Sequence, residues 1–74
     1  MMLTKIAAGR LVAGDIILLP NPAETLMRAY RVHEVKPQFG TSTSVCVEVR
    51  KHETGERVGG LVTSETHEYW RYTA

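Results

Sequence analysis

Between Val45 and Val49 the chain alternates, with Val45, Val47 and Val49 apolar and β-branched and Cys46 and Glu48 between them, before Arg50 and Lys51. Alternate residues of an extended strand point to opposite faces, so this stretch requires a sheet with one side on a core and the other in water. The partner strand comes next. His52-Glu53-Thr54-Gly55-Glu56 reads as a tight hairpin connection with Gly55 at positive φ, and Arg57-Val58-Gly59-Gly60-Leu61-Val62-Thr63 as the return strand. Gly59-Gly60 inside that strand predicts a bulge or sharp bend. Its register depends on loop length: a three-residue loop sets Leu61 opposite Val47, and a four-residue loop sets Val62 there.

The same reading extends to both sides. Residues 3 to 13 form a lead-in that fits a helical turn or a short strand equally well. Ala13-Gly14-Asp15 signals a turn before Ile16-Ile17-Leu18-Leu19, a strand ended by Pro20-Asn21-Pro22. From Leu26 to Val35, Tyr30 and Val32 alternate with Arg31 and His33, which predicts an amphipathic second strand. His67-Glu68-Tyr69-Trp70-Arg71-Tyr72 is aromatic enough for a last strand, with Trp70 expected in the core and Tyr69 and Tyr72 on an edge open to a partner. About five short antiparallel strands joined by Gly and Pro turns predict an all-β domain over residues 1–74, folded as a small barrel or strongly bent sheet.

Size and charge narrow the function. The 74 residues leave room for one small core, and 9 Lys+Arg against 8 Asp+Glu exclude a polybasic protein that holds nucleic acid by charge alone. The longest apolar run, Ile16 to Leu19, is far short of a membrane span. No apolar signal segment opens the chain and its single Cys46 has no disulfide partner, so a soluble cytoplasmic protein is expected.

Four segments, taken in order, carry a resemblance: Gly14-Asp15-Ile16-Ile17, Tyr30-Arg31-Val32-His33-Glu34-Val35, Lys36-Pro37-Gln38-Phe39-Gly40 and Glu53-Thr54-Gly55-Glu56. Together they resemble the N-terminal, KOW-like SH3 barrel of translation elongation factor P and its initiation-factor relatives. The resemblance covers about Lys5 to Thr63 and implies an SH3-like barrel. It departs at the loop tip, where those factors carry a Lys that reaches toward tRNA and this chain has Pro37, Gln38, Phe39 and Gly40. The role of that Lys therefore does not carry over.

Catalytic chemistry finds little footing. No Gly-rich phosphate loop is present, and Asp15, the only Asp, sits in a turn where its side chain is expected to bond nearby backbone amides. Cys46, His33, His52 and His67 lack the close ligand pairs of zinc sites, so no metal or cofactor is expected. The candidate site is instead a basic surface made of Arg28, Arg31, Lys36, Arg50, Lys51 and Arg57, with Phe39 as a stacking group or a core plug. Such a surface suits single-stranded nucleic acid, because cations track phosphates while an aromatic face accepts any base. Glu34, Glu48, Glu53 and Glu56 are interleaved with these cations and can neutralise them in cross-strand pairs. The expected function is a non-enzymatic binding module for RNA or a ribonucleoprotein. The alternative is a protein-interaction module, such as a small phage or mobile-element protein that modulates a host protein.

Overall fold

A computed structural model describes residues 2–20, 27–37 and 43–73. Along them run six strands: β1 Met2–Ala7, β2 Ile16–Pro20, β3 Met27–Pro37, β4 Ser44–Lys51, β5 Arg57–Ser64 and β6 Glu68–Thr73, with one 3-10 turn, Ala8–Arg10, after β1. All six join a single antiparallel sheet in the order β1-β6-β2-β3-β4-β5. The domain is all-β, with one strand more than the five expected. The additional strand is the lead-in segment, whose local preferences were undecided. Ladder pairing from Met2↔Thr73 to Ala7↔Glu68 makes it extended by giving its backbone groups partners in β6.

Chain connectivity forces the sheet to curl. β5 and β6 are joined by residues 65–67 alone, yet four strand spacings separate them in the sheet. In a flat sheet that distance is about 19 Å, whereas an extended chain from Ser64 to Glu68 reaches only about 14 Å. Backbone bonds join the ends that the curl brings near. The Ala8 N–H donates to the His67 carbonyl at 2.7 Å, Gly9 to Glu65 at 2.9 Å, and Glu65 to Thr43 at 2.7 Å. The sheet stays open, since among the described residues β1 and β5 form its two edges and do not pair with each other.

Inside the curl lie Ala8, Leu11, Ile17, Val32, Val45, Val47 and Val49, with Ile6, Leu19, Tyr30, Val35, Leu61 and Tyr69 packed at the margin. The valine alternation thus points inward as expected. Trp70 does not. The register Ile6↔Tyr69 puts Tyr69 on the inner face, and its neighbour Trp70 is left 41% exposed on the outer face, with the Lys5 ammonium 5.2 Å from its ring centre.

Two bulges set which side chains face out. On β3, Val32 pairs with Val49 and Glu34 with Glu48, so His33 is an extra residue and the inward parity passes from Tyr30 and Val32 to Val35. On β5, Val49 pairs with Gly59 and Arg50 with Arg57, which leaves Val58 as the extra residue, next to Gly59 at φ 138°. In this register Leu61 faces Val47, and Val62 is 63% exposed. The loop before it closes with Gly55 at φ 74° and the Lys51 N–H on the Glu56 carbonyl at 2.9 Å.

Candidate functional site

Residues directly opposite each other in adjacent antiparallel strands share a face, so the registers can be read across the sheet. On the outer face one row runs Leu3, Tyr72, Ile16, Arg31, Arg50, Arg57, from β1 to β5 without interruption. The next row runs Lys5, Trp70, Leu18, Ala29, and continues to His52, whose N–H donates to the Ala29 carbonyl at 3.3 Å. Half of this surface is apolar and aromatic. The other half is a ladder of three arginines on three successive strands.

The ladder is only partly neutralised. Arg57 Nε lies 3.1 Å from Glu48 Oε1, while among the described residues Arg31 and Arg50 have no carboxylate partner. Arg50 is half-buried, and its Nε has no hydrogen-bond partner among the described residues. Like charges set directly opposite each other are destabilising, and an anion lying between them would relieve that repulsion. Beyond the ladder come Glu34 and Glu48, also paired across strands, and then Lys36 opposite Cys46. The acidic row borders the arginines on one side and the apolar row on the other.

The remaining sequence candidates do not join the ladder. Lys36 faces the same way but is held 3.4 Å from Glu34. Lys51 pairs with Tyr30 on the other parity and contacts Glu56 at 3.3 Å. Arg28 pairs with Leu19, two residues from Tyr30, and therefore lies on the opposite face from Arg31. Phe39 lies outside the described residues. The interleaved glutamates neutralise Lys36, Lys51 and Arg57 but leave the centre of the ladder charged.

A hollow opens beside the arginines, because Ala29 is the small residue in a row otherwise made of Lys5, Trp70, Leu18 and His52. It measures about 730 Å³ and is lined by Gly14, Asp15, Ile16, Ala29, His52, Tyr72 and Thr73. Asp15 fixes one rim. Its Oδ2 accepts the Val12 N–H at 3.0 Å and lies 3.8 Å from Arg71 Nη1, as a turn carboxylate should. The Gly14 N–H donates to the Val32 carbonyl at 2.8 Å and locks that rim to β3.

Of the apolar half of the face, sequence reasoning had only Tyr72, which it set with Tyr69 on an edge open to a partner; Leu3, Ile16, Leu18 and Trp70 it missed. Trp70 and Tyr72 share a parity, a signal present in the chain, but the choice of Tyr69 over Trp70 as the inward aromatic depends on β1, whose strand state was undecided. No group of three or more metal-binding side chains forms among the described residues, and no helix there is long and apolar enough to cross a membrane. Comparison with protein-family models, with curated proteins and with solved structures returns no match.

Proposed function

We propose that this chain is a small non-enzymatic, cytoplasmic binding module that holds single-stranded RNA on the outer face of its sheet. The observation that carries the reading is the in-register row Arg31, Arg50 and Arg57 continuing into Ile16 and Tyr72, with exposed Trp70 one row away. Cations spaced by one strand each follow a phosphate backbone, and aromatic rings on the same face accept bases. A formal charge of +1 is compatible with this, because the carboxylates nearest in the sheet, Glu34 and Glu48, form a row beside the arginines and leave Arg31 and Arg50 without a carboxylate partner among the described residues. As to fold, we assign the curled sheet to the SH3-like, KOW-like barrels, in line with the resemblance to the elongation factor P domain. The short bulged β4–β5 hairpin and the three-residue β5–β6 connection support that assignment.

Fluorescence anisotropy with a labelled single-stranded RNA, titrated with salt, tests the binding. Arg31→Ala and Arg50→Ala should each weaken it and lower the slope of log affinity against log salt by about 0.7, the value for one phosphate contact on a single strand. Arg28→Ala, on the other face, should leave the slope unchanged. If the unaltered protein binds no RNA at low salt, the reading fails. A protein partner then takes its place, a second reading favoured by Leu3 and Trp70, two exposed apolar side chains in neighbouring rows at the β1 edge.

A further inference from the structure

We infer that the hollow over Ala29 is a nucleobase pocket, which takes one base of the strand whose phosphates lie on Arg31 and Arg50. This inference rests on the RNA-binding reading and adds to it a discrete site. Its volume, about 730 Å³, falls within the roughly 300–1,000 Å³ typical of small-ligand pockets and is more than a single base needs. Its walls have the chemistry of a stacking site. Ile16 and Tyr72 are cross-strand partners and form one side, His52 stands opposite, and Ala29 forms a floor with no side chain beyond Cβ.

Charge decides the occupant. Ile16, in the wall, is the cross-strand partner of Arg31, and Arg31 in turn is the partner of Arg50, so the pocket and the unneutralised cations adjoin along one row. A purely apolar ligand would fill the hollow but leave the two guanidiniums facing each other. A nucleotide supplies both a flat ring for the pocket and an anion for the arginines. Asp15 on the rim adds a carboxylate that can accept hydrogen bonds from a ring amino group.

The test fills the pocket without touching the charges. Ala29→Leu places a branched side chain in the hollow, and His52→Ala removes one wall in the exposed hairpin turn, where folding is least sensitive. Affinity is measured for a single-stranded RNA of mixed sequence and for an abasic oligonucleotide of equal length, with circular dichroism and melting run in parallel. Ala29→Leu should weaken RNA binding by roughly 5- to 150-fold, the range for losing one stacked base, with an unchanged salt slope and no change toward the abasic strand. His52→Ala should act in the same direction and less strongly. Equal RNA affinity for Ala29→Leu and the unaltered protein would overturn the pocket and leave the arginine ladder standing. Equal losses toward RNA and the abasic strand would also overturn it, since the effect would then come from the backbone or the fold. An unaltered protein that binds neither strand at low salt removes the RNA reading and the pocket together.

Discussion

Val47 sits at the centre of the fold, fully buried and flanked on its own strand by Val45 and Val49, with Leu61 and Val35 as its partners on either side. Truncation to Ala removes two carbons, worth about 0.8 kcal/mol each by transfer alone and more once the unfilled space is counted, so a loss of about 1.6–3 kcal/mol is expected. For a domain of this size that lowers the melting temperature by roughly 10–20 °C. Val47→Asp is harsher. An unpaired carboxylate there costs several kcal/mol, against a total stability of about 4–11 kcal/mol for 74 residues, so this variant should not fold. The control is the adjacent Glu48, whose side chain faces outward and contacts the largely exposed Arg57. Glu48→Ala should change stability by no more than about 1 kcal/mol. Thermal melts followed by circular dichroism give all three values. Similar losses for Val47→Ala and Glu48→Ala would refute the assignment of faces on β4, and with it the position of the arginine ladder.

The two glycines of β5 should respond unequally. Gly59→Ala forces a side chain onto φ 138° and should cost about 1–3 kcal/mol, while Gly60→Ala meets only the Cys46 Sγ, 2.8 Å from the new Cβ, which can turn away, so its melting temperature should shift little; comparable destabilisation at both positions would argue against the bulge. Trp70, exposed beneath Lys5, should emit at the red end of the tryptophan range and be readily quenched by acrylamide, and Trp70→Phe should leave the melting temperature nearly unchanged. A blue-shifted, protected Trp70 would mean that β6 presents its other face to the core.

Strand positions in β2 through β6 were legible because each has a local signature: the Val45, Val47, Val49 alternation, the β-branched start of β2, and the Gly55 turn. The register of β5 was not, since Leu61 and Val62 are equivalent until the bulge at Val58-Gly59 fixes the count. Val32 and Val35, three apart rather than two, already marked a bulge in β3, and reading that interval would have placed Glu34 and Lys36 on the same face as Arg31. For the site, Arg31, Arg50 and Arg57 were recognisable as cations, but their alignment is a property of three ladders, and no spacing within one strand encodes it. The hollow was invisible for a similar reason. Ala29 becomes a floor only through neighbours contributed by residues 16, 52 and 72.

The pairing of β1 with β6 joins residues at opposite ends of the described chain, Met2 with Thr73. On a ribosome, β1 emerges ahead of β2 through β6 and waits: until Glu68–Thr73 has followed it, β1 has no ladder partner and β2 keeps one bare edge. Between β1 and β6 the nascent chain therefore carries unpaired strand edges, the kind of surface that recruits other strands, and the β1–β6 ladder must close over the 60 residues, 8–67, that separate the two strands. A ribosome that stalls after β5 would release not a shorter domain but a four-stranded sheet with β1 left unpaired, and a degradation tag or chaperone would have that strand to grasp.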